Sequence, residues 1–223
     1  MAEGNKKTAI SRKPCFALIG DMVGSRSITR GERPRAQAQF SAFIDLLNER
    51  YKRAMLSRFA ITLGDEFQGV IGDASAIPGM IWDVETEFRA RVLRLGFGYG
   101  TIDTVIPKFA INLDGPALHE ARAAIEEAKA KKKLGGVFRG EGIPATELNG
   151  FARLLWFHRA RRTEQQLKVL GMLRQGMPQV KIAERLRQTP QAVYDHVKSA
   201  GWEAYREGEA GFAAALLAIG KGA

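Results

Sequence analysis

A single cysteine, Cys15, in 223 residues excludes an internal disulfide and any zinc site built from cysteines. No apolar run approaches the roughly 20 residues of a membrane-spanning helix. The apolar stretch behind the basic N-terminus, Cys15 to Ile19, is too short for the core of a secretion signal. These absences predict a cytoplasmic protein without a membrane partner. Acidic residues are also scarce, with 24 Asp and Glu against 34 Lys and Arg, a formal charge of +10. Such an excess favours polyanions as partners. What is present is an ordinary 45% hydrophobic content, enough for a core. The length fits one large domain, or a medium one with a small one attached.

The positive charge is uneven, since the part from Phe151 onward carries 12 Lys and Arg against 6 Asp and Glu. Between the halves lies "KKKLGGVFRGEGIPATELNG", rich in Gly and Lys, which reads as a boundary separating residues 1–140 from residues 145–223.

In the first part, "CFALIGDMVGS" reads as a buried strand ending at Gly20-Asp21, followed by a turn. Phe40, Phe43, Ile44, Leu47 and Tyr51 recur at helical spacing. Phe59 to Ile71 reads as a hairpin tipped by Gly64-Asp65-Glu66. Ile77 to Arg91 is expected to be helical, and "RVLRLGFGYGTIDTVI" to return to strands. A further helix opens at Asp114-Gly115-Pro116, with Asp114 its expected N-cap. The order β-α-β-β-α-β-α predicts an α/β (α+β) fold, a ferredoxin-like palm sheet covered by helices. Gly96, Gly98 and Gly100 alternate along one strand, as where a neighbouring backbone or a flat ligand approaches closely.

Asp65 has two readings. Hairpin tips favour Gly, Asp and Asn for local reasons, while a carboxylate on a rigid turn is also a good ligand for a hard metal. In a β-α-β-β palm the strand ending at Asp21 neighbours this hairpin. The pair could then hold Mg²⁺, with phosphate oxygens and water completing its shell.

The blocks "ALIGDMVGS", "FAITLGDEFQGVI", "LRLGFGYGTI" and "DGPALHEARAA" resemble, in order, the signature blocks of class III nucleotide cyclase domains. The hairpin is also similar to that of diguanylate cyclases, and the chain as a whole resembles the SatD family. The cyclase resemblance implies Asp21 and Asp65 as ligands for Mg²⁺ or Mn²⁺, and a nucleotide held near Gly24, Ser25, Asn112 and Asp114. It also implies departures. Ile61 stands where purine cyclases carry a base-reading Lys. His119 and Ala123 stand where they carry an Asn and an Arg, and Arg122 is one residue away, about 100° around a helix. Arg122 and His119 are thus the candidates for catalytic roles. They are equally readable as surface polar groups.

The second part, "TEQQLKVLGMLRQGMPQVKIAERLRQTPQAVYDHVKSAGW", reads as three short helices. Thr163 and Gln166 form a capping box, Gly176 is a stop, and Thr189-Pro190 starts the third helix. It resembles a bacterial helix-turn-helix. The third helix would bury Val193 and Val197 and present Gln191, Tyr194, Asp195 and Lys198. Lys181 and Arg187 supply further phosphate contacts, within a basic surround that includes Arg159, Arg161, Arg162 and Arg185. The Ala-rich segment after Trp202 is expected to pack on this module or on its twin in a homodimer. The expected protein is a regulator whose binding to double-stranded DNA responds to a nucleotide. The alternatives are an active cyclase or nucleotidyltransferase of altered specificity, or an inactive palm serving as a dimerisation scaffold.

Overall fold

The computed structural model describes residues 13–88 and 91–219. An N-terminal α/β region with a five-stranded sheet is followed by an all-helical region. The elements of the first are β1 (Cys15–Met22), α1 (Arg33–Arg50), β2 (Met55–Leu63), β3 (Glu66–Ile71), α2 (Ile77–Thr86), β4 (Leu93–Gly100), α3 (Pro116–Ala130) and β5 (Val137–Gly140). The sheet order is β2-β3-β1-β4-β5. β1 is central and antiparallel to both β3 and β4, while β5 adds to β4 in parallel.

Alternation along β1 sorts its side chains between two cores. Phe16, Leu18 and Met22 join a large aromatic cluster under α1 and α2. Cys15, Ala17 and Ile19 face α3, against Ala117, Ala121 and Ile125. The glycines of β4 lie on the α3 face. A Cβ at Gly98 would sit 2.1 Å from both Ala117 O and Ala121 N, so the close neighbour is the backbone of α3. Burying side chains of this size is the main source of stability, at about 1.5–3 kcal/mol each.

Several expectations shift. The Gly- and Lys-rich stretch read as a boundary contains β5. Helix α2 stops at Thr86, and Arg89 and Ala90, at the end of the helix expected over Ile77 to Arg91, lie outside the described residues. Gly115 is the residue that caps α3. Asp114 stands one position earlier and accepts from the Gly115 N–H.

The helical region comprises α4 (Ala145–Ala160), α5 (Glu164–Arg174), α6 (Gln179–Leu186), α7 (Pro190–Ser199) and α8 (Trp202–Ala218). Helix α8 packs on α4 of its own module, as expected, with Phe212 stacked on Phe151, and it also packs on the α/β region. Phe212 meets Phe138 of β5 edge-on, and Tyr205 and Trp202 flank Trp82 of α2. An ion pair crosses the same seam, Arg159 of α4 to Glu85 of α2. Nearby, a bidentate pair joins Arg174 of α5 to Glu209 of α8, at 2.7 and 2.8 Å.

Candidate functional site

The carboxyl end of β1 and the tip of the β2–β3 hairpin meet at one corner of the sheet. Register puts Glu66 opposite Asp21 on one side of β1 and Arg94 opposite it on the other. Leu63 pairs with Glu66, leaving Gly64 and Asp65 as a two-residue loop. The Met22 N–H donates to the Asp65 carbonyl at 3.0 Å, tying the loop to β1. Past β1 the chain turns at Gly24, whose φ of 71° suits a residue without Cβ. The turn places Ser25 to donate its hydroxyl to the Asp65 carboxylate.

A cleft of about 200 Å³ opens here, lined by Ser25, Arg26, Arg33, Gln37, Gly64 and Asp65 among others. Two guanidinium groups and one carboxylate around a glycine turn form a place where an anion and a cation could bind together. On the α3 side, Asp21 lies 3.4 Å from Lys129 Nζ. Glu66, almost fully buried, accepts two hydrogen bonds from Arg122, at 2.5 and 2.7 Å.

The charges act on one another. Burial pushes the Asp21 carboxyl above the usual carboxylate range. Lys129 pulls it back, and the negative charges of Asp65 and Glu66 add to the rise. Burial pushes Glu66 the same way, but the Arg122 hydrogen bonds and charge outweigh it and hold Glu66 below its ordinary range. Asp21 therefore lies near enough to Asp65 to feel its charge, while its own side chain is engaged by Lys129. Among the described residues, no group of three or more His, Cys, Asp or Glu side chains could hold a metal ion by itself. A two-carboxylate site fits Mg²⁺ only where phosphate and water supply the remaining ligands.

The other candidates stand elsewhere. Asp114 and His119 pair with each other at 2.8 Å on the surface, at the α3 N-terminus, and Asn112 is exposed with φ of 56°. Ten residues of helix, about 15 Å, separate His119 from Lys129. Arg122 does join the corner, through Glu66. Arg26, Arg33, Glu66 and Lys129 were not singled out from the sequence. Lys129 had a signal, being seven residues, two helical turns, beyond Arg122. Glu66 lay within the hairpin motif itself.

In the helical region, α5, α6 and α7 enclose Val169, Ile182, Ala183 and Val193, with Val197 packed alongside. The capping box of Thr163 and Gln166 is formed, and Thr189 caps α7. Gln191, Tyr194, Asp195 and Lys198 are exposed on α7. Gln191 donates to Asp195 at 2.9 Å, and Lys198 Nζ lies 5.9 Å from the Tyr194 ring centre. Lys181 pairs with Glu184 at 2.9 Å, and Arg187 ends α6 with a left-handed backbone. Arg159 leaves the expected basic surround, because it is buried and paired with Glu85 and Tyr205. No helix among the described residues is long and apolar enough to cross a membrane.

No curated protein matches the chain. The model of the SatD family matches residues 15–140, from the first residue of β1 to the last of β5 and so across the whole sheet. On that match, which covers more than half of its length, the chain belongs to the SatD family.

Proposed function

We propose that the protein is a cytoplasmic, homodimeric regulator in which a cyclase-like palm binds a nucleoside triphosphate with Mg²⁺ or Mn²⁺, and a helix-turn-helix binds double-stranded DNA. The observation that carries this reading is the cleft lined by Asp65, Ser25, Arg26 and Arg33, with Asp21 close by on the α3 side of β1. Strand order β2-β3-β1-β4, with β1 antiparallel to both neighbours, also supports a ferredoxin-like palm. In this reading Asp21 and Asp65 hold the ion. Arg26 and Arg33 take the phosphates, with the backbone of Gly24 and Ser25. The bound ion would neutralise phosphate charge. Asn112, Asp114 and His119, remote within one chain, would serve the corner of a second chain.

Regulation is favoured over turnover by Ile61 at the base-reading position and by the engagement of Arg122 with Glu66, which ties up a cation near the corner. Losing one such cation at the transferring phosphate costs orders of magnitude in rate. For the DNA half, support comes from the buried Val193 and the exposed Gln191, Tyr194 and Lys198 on α7.

Calorimetric titration of each nucleoside triphosphate with Mg²⁺ or Mn²⁺, alongside a pyrophosphate assay, tests the first half. Saturable, metal-dependent binding is expected, weakened at least about tenfold in Asp65→Asn, a change of about 1.4 kcal/mol. Equal binding by the variant would leave Asp65 a turn residue, and steady pyrophosphate release would make the protein an enzyme. A salt titration on duplex DNA tests the second half. Lys198→Ala should lower the salt slope by about one phosphate contact. Wild-type protein that ignores DNA even at low salt removes the regulator.

A further inference from the structure

The seam between the sheet and the helical region contains a cavity of about 410 Å³ that shares no lining residue with the Asp65 cleft. Its walls come from the end of α2, the start of β4, the segment after α3, and helices α4 and α5. Val84, Phe88, Leu134, Trp156 and Leu167 make it largely apolar. Three guanidinium groups also line it, those of Arg91, Arg159 and Arg162.

The three are not equivalent. Arg159 is neutralised by Glu85, whose carboxylate accepts its Nε–H at 2.5 Å, and it also donates to the Tyr205 hydroxyl. Arg162 has no carboxylate within ion-pair distance among the described residues. Its Nη2 lies 2.7 Å from His158 Nδ1, and its Nε is buried without a hydrogen-bond partner. His158 brings no negative charge. Burial, then the charges of Arg162 and Arg159, push its pKa down, so the ring stays neutral. A guanidinium keeps its proton in proteins. Arg162 is therefore an uncompensated, half-buried cation with an unused donor beside an apolar hollow. Arg91, exposed at the mouth, adds a second positive charge. Buried polar groups left without partners are costly, and an anion that pairs with them recovers that cost.

We infer that this seam cavity binds a small organic anion with an apolar body of aromatic size, its acid group on Arg162 and Arg91 and its body against Phe88, Leu134 and Trp156. The volume suits such a ligand. The ligand would touch the sheet and the helices at once, so its binding would tie one to the other.

The test uses 1-naphthoate, titrated into the full chain by calorimetry and by quenching of tryptophan fluorescence. Saturable binding is expected. It should weaken at least about tenfold in Arg162→Gln, as for loss of a charge-assisted contact, and vanish in Ala160→Trp, which fills the hollow. Arg91→Gln, at an exposed position, repeats the measurement should Arg162→Gln not fold. Naphthalene-1-methanol, of the same shape without the charge, should bind at least about tenfold more weakly. Asp65→Asn should bind 1-naphthoate as the wild type does. The inference is overturned by absence of saturable binding, by equal affinity in folded Arg162→Gln or Arg91→Gln, or by equal affinity for the neutral alcohol. Displacement by inorganic sulfate at equal concentration would also overturn it, because the apolar walls would then contribute nothing.

Discussion

The two faces of the sheet are covered by opposite means. On one, α3 lies so close that β4 has no room for side chains, and Gly96 and Gly98 meet the backbone at Ala117, Ala121 and Ile125. On the other, Phe40, Phe67, Phe97, Phe138 and Phe212 fill a thick layer, with Trp82 between Trp202, Tyr205 and Arg174. Backbone contact leaves a helix little freedom to shift, which suits the face carrying Arg122 and Lys129 to Glu66 and Asp21. Aromatic filling tolerates variation in shape but loses much when a ring is removed. Precision sits on one side and bulk on the other.

Removing bulk should give the largest effect. Phe212→Ala deletes a fully buried ring that stacks on Phe151 and meets Phe138, and should cost about 3–5 kcal/mol in urea unfolding. A cost below about 1 kcal/mol would mean that α8 is not part of the aromatic layer. Removing precision comes next. Gly98→Ala forces α3 outward against a 2.1 Å approach and should cost about 3 kcal/mol. It should also weaken metal-dependent nucleotide binding, because Arg122 and Lys129 move with the helix. A volume-conserving change in the aromatic layer, Ile81→Leu, should cost below about 1.5 kcal/mol. If Gly98→Ala proved the milder of these two, the contrast between faces would fail.

The smallest effect belongs to the solvent side of α3. Hydrogen bonds from Lys133 and Lys131, with their charges, hold the Glu127 carboxyl down to about 2. A lowered carboxylate stabilises the fold at pH above its ordinary range and loses that contribution as pH falls toward about 2. Glu127→Gln should therefore flatten the melting temperature against pH on the acid limb. The loss near neutral pH should be under about 1 kcal/mol, because the pairs are partly exposed. An unchanged acid limb would show that these pairs contribute nothing.

Local patterns were legible in the sequence where neighbours along the chain determine them. The stripe Phe40, Phe43, Ile44 and Leu47 became the buried side of α1, and the capping box at Thr163 formed as spaced. The alternating glycines of β4 pointed to a close neighbour without saying which. Strand β5 was hidden, because four residues among glycines and lysines gain their strand character only by pairing in parallel with β4, a contact distant in sequence. The Arg122–Glu66 pair spans 56 positions, and nothing in either residue's surroundings announces it. The Ala-rich face of α8 could show that the helix would be buried, but not against what.

Phe138, the second residue of β5, rests on Phe212, and Trp82 is sealed by residues after 200. During synthesis, the five strands are therefore finished well before their aromatic side can close. Until α8 is made, the part of that side around Phe138 and Trp82, which α1 and α2 do not cover, remains open to water and to other chains. Long-range closure of this kind slows folding and exposes apolar surface meanwhile.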